Sequence, residues 1–236
     1  MRNTDKTKEQ FINELETSHT RHKRDEAAWT VSENRLSTLR KRIINSDYGS
    51  MEELVAGSGS YSIGEIHAFL NHIIAAWKGN KLSPTAMCTL LRFAYIYLDQ
   101  PGIPISFKNK PPIPICYFSS YLLAGASLLH SYLKTLSFSV ALFPLAETDR
   151  HLKEFINKRR PPAVLFTISQ FLHVHPLRQL VTNLHDRNLK IFIGGIPFVY
   201  DESLKQEFPG CTFPRNLAEL TLLLENSLKG EPRWRN

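Results

Sequence analysis

Apolar positions along this chain follow two rhythms, and the change from one to the other falls near residue 112. Upstream, Ile66, Phe69, Leu70, Ile73, Ile74 and Trp77 recur at three- and four-residue spacing, the broad stripe of an amphipathic helix. Ser62-Ile63-Gly64-Glu65 ahead of it is a capping box, the serine capping and the glutamate reaching back. Gly79 marks where that helix should stop. Ser83-Pro84 opens another, serine as cap and proline in the first turn, with Leu90, Leu91, Ala94, Tyr95 and Leu98 on its buried side. Residues 50–99 therefore read as a small helical bundle, a cap domain. Gln100 to Pro114 carries five prolines, a glycine and two lysines, so residues 100–111 read as an extended polar linker.

Beyond it, short apolar runs alternate with amphipathic ones. Strands are predicted at Ile113–Phe118, Phe138–Phe143, Ala163–Ile168 and Lys190–Ile193, with a weak one near Cys211–Phe213. Helices are predicted at Leu122–Lys134, Asp149–Lys158, Pro176–Asp186 and Asn216–Lys229. The expected fold class is α/β: a flavodoxin-like or Rossmann-like five-stranded parallel sheet flanked by helices over 112–229, preceded by the bundle. Ligands in such sheets bind beyond the carboxyl ends of the strands, here the loops after Phe118, Phe143, Ile168 and Ile193.

Residues 1–49 read as a charged, helical N-terminal region and 230–236 as a short tail. Phe11, Ile12 and Leu15 can line one helical face, and Leu36, Leu39 and Ile43 another. Arg21-His22-Lys23-Arg24 and Arg40-Lys41-Arg42 are basic, and the formal net charge of +7 favours acidic partners. A nucleic-acid-binding arm and a solvated helix both fit this region; the solvated helix is the plainer reading. Cys88, Cys116 and Cys211 are far apart and odd in number, which indicates neither a disulfide framework nor a zinc site. No signal-peptide pattern and no long apolar span is present, so a cytoplasmic protein without membrane contact is expected.

Three segments carry a resemblance. They are Pro162-Ala163-Val164-Leu165-Phe166-Thr167-Ile168, then Ile191-Phe192-Ile193-Gly194-Gly195-Ile196-Pro197, and upstream Trp77 followed by Gly79, Leu82 and Ser83. With the bundle-then-sheet rhythm, most of residues 60–229 resembles the cobalamin (B12)-binding module of methionine synthase, corrinoid methyltransferase proteins and light-sensing B12-dependent repressors. The resemblance implies a cofactor site at Trp77, Met87, Cys88, Ser120, Leu122, Gly125, Thr167, Ser169, Gly194 and Gly195. Thr167 stands at the place of the family's nucleotide-contacting serine, the glycine pair lets a flat tail pass the backbone, and Trp77 would cover the corrin. The family's acidic residue, cobalt-ligating histidine and glycine fall on Ser120, Leu122 and Gly125; its Glu-His pair in the bundle falls on Met87 and Cys88. The glycine is kept, but leucine cannot ligate a metal. The expected function is accordingly a non-catalytic sensor of this type, regulating transcription or signalling through a protein partner such as a transcription regulator. Its altered pocket would take a tetrapyrrole (a corrinoid without histidine ligation, a heme or a bilin) or nothing. The alternative is a corrinoid carrier or accessory subunit of a methyltransferase-type system. Nucleic-acid binding through residues 1–45 is a third possibility, and a homo-oligomer is compatible with all three.

Other residues have plainer readings. A Cys88 thiolate can ligate heme or hold a bilin, but free cysteine is most often a small buried group. Cys116 and Cys211 are expected in the core. His173-Val174-His175 has the spacing of a metal pair without a third ligand in sequence, which favours ordinary loop histidines. His130 is expected to serve packing or solvent, His67 and His72 to be exposed, and Trp77 is more simply core than ligand cover. No GxGxxG, P-loop, GxSxG or HExxH occurs, and no paired carboxylates lie at the predicted edge.

Overall fold

The computed structural model describes residues 37–41, 43–44, 51–56, 59–118, 123–145, 150–184 and 189–229. The chain divides into two compact units, Met1–Asp47 and Tyr48–Asn236. In the first, the described residues are helical, and Leu39 and Ile43, four apart, are buried.

The second unit begins with three helices: α1 Met51–Ala56, α2 Ile63–Lys78 and α3 Pro84–Leu98. The capping box at the start of α2 is formed, Glu65 N–H donating to Ser62 Oγ at 3.2 Å and Ser62 N–H to Glu65 Oε2 at 2.8 Å. At its other end Gly79 caps the helix with an ordinary φ of −83°, and Asn80 takes the left-handed turn at φ 53°. Asn80 N–H then bonds Trp77 O and Lys81 N–H bonds Ala76 O, a Schellman ending with asparagine at the left-handed position. The buried side of α2 is Ile66, Phe69, Leu70, Ile73 and Ala76, so the stripe turns onto Ala76 in the last turn and leaves Trp77 40% exposed. Ser83 and Pro84 open α3 as expected.

Strands β1 Ile113–Tyr117, β2 Val140–Pro144, β3 Ala163–Ile168 and β4 Lys190–Gly195 form one parallel sheet in the order β2-β1-β3-β4. The sheet has four strands rather than the five expected. The fifth is reduced to one parallel bridge from Thr212 to Phe192, with Thr212 N–H on Ile191 O and Ile193 N–H on Thr212 O, both 2.9 Å. Gly210, at φ 79°, and Pro214, which has no N–H to donate, stop the pairing on either side. β1 and β3 are buried almost throughout, which explains their unbroken apolar runs.

Helices α4 Ala124–Thr135 and α8 Leu217–Lys229 cover one face of the sheet, where Ala126, Leu133, Leu220 and Leu224 pack on Ile115, Leu165 and Phe192. Helices α5 Arg150–Arg159 and α6 Val174–Thr182 cover the other, with Leu152, Ile156, Leu177 and Val181 on Cys116, Phe166 and Ile193. A short helix α7, Ile196–Tyr200, and a 3-10 segment Glu202–Glu207 follow β4, closed by the rings of Phe198, Phe208 and Phe213.

The bundle packs on the outer side of α4. Tyr95 meets the His130 ring edge-on at 5.0 Å, and Lys134 pairs with Asp99, so α3 runs alongside α4 in the same direction. His67, expected exposed, bonds Thr135 Oγ1 at 2.8 Å and packs on Tyr132. The segment between bundle and sheet is tied down rather than free. Buried Asn109 donates to Pro111 O and Ser139 O and accepts from Ser139 N–H, while Lys108 pairs with Glu225 at 2.9 Å.

Candidate functional site

In a parallel sheet of this order, β1 and β3 leave in opposite directions from the centre, opening a crevice at their carboxyl ends. Beside it, at the carboxyl ends of β3 and β4 on the α4–α8 face, lies a cavity of about 250 Å³. That is slightly below the ~300–1,000 Å³ of typical small-molecule clefts. Gly125, Thr167, Gly194 and Gly195 all line it, and Leu128, Leu129 and Leu220 supply apolar walls. The side chains of Thr167 and Asn216 are its polar ones, and Asn216 Oδ1 already accepts from Glu219 N–H.

Each glycine has its own reason. At Gly195 the backbone has φ 129°, and an added Cβ would stand 1.9 Å from Ile168 O, so only glycine lets β4 close against the end of β3. A Cβ at Gly125 would lie 3.3 Å from Thr167 Oγ1, a tight approach of α4 to β3. A Cβ at Gly194 would meet nothing within 4 Å; its missing side chain is open space in the cavity.

The other sequence-predicted site residues that are described do not line this cavity. Ser169 follows β3 and is half-buried outside it. Trp77, Met87 and Cys88 sit around the α2–α3 turn. Because α3 parallels α4, that turn lies toward the amino end of α4 and hence toward the carboxyl edge of the sheet, without reaching the cavity. Cys88 is exposed rather than buried between helices, because it falls in the first turns of α3, ahead of the buried run from Leu90. Ser120 and Leu122 lie outside the described residues. Cys116 is buried, which pushes its thiol pKa well up; burial raises half-buried Cys211 to about 11.

Two further features mark this edge, the first of them missed by sequence reasoning. One is an apolar rim: Phe171 and Leu172 in the 3-10 turn Phe171–His173, and Ile196, Val199 and Tyr200 on α7, are at least half exposed, the last two 79% and 80%. Its only sequence signal was apolar residues directly after predicted strand ends. The other is that the His173-x-His175 pair separates. His175 is engaged by Arg178 at 2.9 Å and Gln179 at 3.0 Å, whereas the His173 ring stacks on Phe118 at 5.1 Å, nearly parallel at 13°. Partial burial lowers the His173 pKa. Among the described residues no cluster of three or more His, Cys, Asp or Glu could hold a metal ion, and no helix is long and apolar enough to cross a membrane.

No protein-family model matches the chain, and neither does any curated protein sequence. Solved structures do. The methanol:cobalamin methyltransferase complex MtaBC from Methanosarcina barkeri aligns over 84% of this chain and 81% of its own, at 11% identity and a TM-score of 0.51. A novel cobalamin-binding protein from Desulfitobacterium hafniense DCB-2 aligns over 81% and 98%, at 15% identity and 0.48. The monomethylamine corrinoid protein of Methanosarcina barkeri aligns over 82% and 99%, at 15% and 0.47. At such identities the match to the methyltransferase complex speaks to fold: bundle and parallel sheet together form an architecture that cobalamin-dependent proteins use.

Proposed function

We propose that this chain is a corrinoid-holding subunit, a carrier or an accessory, that works with a protein partner and has no catalytic chemistry of its own. The observation that carries this reading is the cavity at the carboxyl ends of β3 and β4, kept open by Gly194 and bounded by Gly125 and Thr167. A flat, largely apolar tail suits such walls, and Thr167 offers one hydroxyl to it. The rim formed by Phe171, Leu172 and Ile196 would support the apolar face of a macrocycle, the kind of use that exposed apolar groups of this extent usually have. Trp77 and Met87 would approach it from the bundle side. When bound, a corrinoid would supply a cobalt able to accept and pass on a methyl group. This chain's residues would hold and orient it, and the partner would supply the reacting substrate.

The regulatory reading, a sensor acting on transcription, uses the same architecture but rests on no residue of its own. The carrier or accessory reading ranks above it, because a solved structure that shares the fold is a methyltransferase complex.

The test is uptake. Purified full-length protein is mixed with cobalamin, passed through gel filtration and scanned in the visible range, beside Gly194→Leu, which fills the cavity at a position with room for a side chain. Stoichiometric retention by the wild type, and its loss in a folded Gly194→Leu protein, is the expected result. No retention by the wild type, or equal retention by both, overturns the reading.

A further inference from the structure

We propose that the amino edge of the sheet, opposite the cavity, is a nucleic-acid-binding surface that engages backbone phosphates through exposed lysine and arginine side chains. The assignment is independent of the corrinoid-holding reading and uses none of its residues.

A cation stands where the chain enters each of the four strands. Lys108 N–H bonds Ser137 O, just ahead of β2, and Lys110 lies three residues before β1. Arg160 lies three residues before β3, and Lys190 is the first residue of β4, in register with Ala163. The strand order β2-β1-β3-β4 sets these positions side by side. At ~4.8 Å between strands, the starts of β1, β3 and β4 alone span about 10 Å. Lys158 and Arg159 end α5 on one face of the sheet, and Lys229 ends α8 on the other. Strands of five or six residues, about 17–20 Å, separate this edge from the cavity.

Pairing distinguishes the two edges. Around the carboxyl edge, Arg150, Arg178, Lys205 and Arg215 each hold a glutamate: Glu154, Glu207, Glu202 and Glu219. At the amino edge Asp99 is taken by Lys134, and Glu225 by Lys108. Lys110, Lys158, Arg159, Arg160 and Lys190 are all exposed, and among the described residues none of them pairs with a carboxylate. A preference of cations for helix carboxyl ends accounts for Lys158, Arg159 and Lys229. It does not account for Lys110, Arg160 and Lys190, which lie outside helices and converge only through the sheet order.

The composition of the edge selects the partner. Among the described residues its exposed large apolar side chain is Phe107, 38% exposed. Protein–protein interfaces deplete lysine and build their centres from apolar and aromatic groups. Nucleic-acid interfaces are more polar and far more positive, and unpaired cations spread over a broad edge fit a repeating line of phosphates. Contacts to phosphates carry no sequence information, so binding through this edge is indifferent to sequence.

The experiment measures anisotropy of a short fluorescein-labelled DNA duplex of mixed sequence with the full-length protein over a series of salt concentrations. Engagement of five phosphates predicts that log K falls against log salt with a slope of roughly −4.5. Neutralising Lys158→Gln, Arg159→Gln and Lys190→Gln together should flatten the slope by about one for each cation removed, and Lys158→Gln alone by about one. A second variant, Arg21→Gln with Lys23→Gln and Arg24→Gln, should leave the slope as in the wild type. The proposal is overturned by absence of binding at low salt. It is equally overturned by a slope that the amino-edge substitutions leave unchanged, with binding lost instead in the second variant. Displacement of the labelled duplex by polyglutamate as effective as that by unlabelled duplex would assign the edge to acidic proteins and remove nucleic acid as its partner.

Discussion

Gly194 and Gly195 are adjacent in sequence, yet the structure assigns them opposite responses to the same methyl group. At Gly195, alanine must adopt φ 129° and ψ 173°, a region open essentially to glycine alone, at a cost of about 1–3 kcal/mol. Its Cβ would also stand 1.9 Å from Ile168 O and 2.8 Å from Ile168 C, contacts with backbone that cannot rotate away. Relief requires the end of the β3–β4 ladder, where Ile168 faces Gly195, to open, forfeiting roughly another 1 kcal/mol of hydrogen bonding. Gly195→Ala should therefore lose about 3 kcal/mol, and near 2–4 °C per kcal/mol the midpoint of thermal unfolding should fall by about 10 °C. At Gly194 the methyl enters open space on an ordinary strand backbone, so Gly194→Ala should gain about 0.5–1 kcal/mol from the lost freedom of the unfolded chain. Urea unfolding of the two variants beside the wild type, followed by circular dichroism, measures both. If the two alanines shift stability in the same direction, or Gly195→Ala stays within about 1 kcal/mol of wild type, the account of the glycine pair is wrong.

Three other outcomes are expected. Burial, with Lys134 reinforcing and Asp99 opposing, lowers the His130 pKa from 6.5 to about 4, so the folded chain keeps this histidine neutral while the unfolded chain protonates it. Stability should then fall as pH drops from about 6.5 to 4, by up to about 3 kcal/mol, with His67 adding in the same direction, and His130→Leu should flatten the dependence; a urea midpoint unchanged over that window would contradict it. Asn109→Ala strips three hydrogen bonds from a buried site and should cost about 2–3 kcal/mol in the same unfolding assay, whereas a free linker would tolerate it. In the native protein a maleimide should modify Cys88 quickly, Cys211 slowly and Cys116 only on unfolding, as mass spectrometry of timed samples will show.

The fold was legible where apolar runs are bounded by residues with a fixed backbone preference. β3 occupies the predicted residues, and β1 differs by one residue, because Pro112 and Pro162 set their starts. β2 was placed two residues early because Phe138 is apolar and fully buried. It serves the end of α4 instead: Ser137 turns left-handed at φ 67° and Phe138 N–H returns to Leu133 O, so its burial belongs to a helix ending. α6 was placed two residues late, because Pro176 is as acceptable in the first turn begun by Val174 as at a first position. His67 was misjudged by treating α2 as having one buried side, when α4 covers part of a second. None of these errors affected the fold class, which depends on the alternation of elements and not on their edges.

The site was legible only along single segments. Gly125, Thr167, Gly194 and Gly195, named through the resemblance, lie in or beside short segments at strand ends and a helix start, and all line the cavity. The opposite wall, Pro214, Asn216 and Leu220, carries no spacing relation to them, since it arrives through the return of α8 to the same face of the sheet. The stack of Phe118 on His173 has the same origin: the two residues are far apart in sequence and meet because β1 and β3 pair, Cys116 beside Phe166.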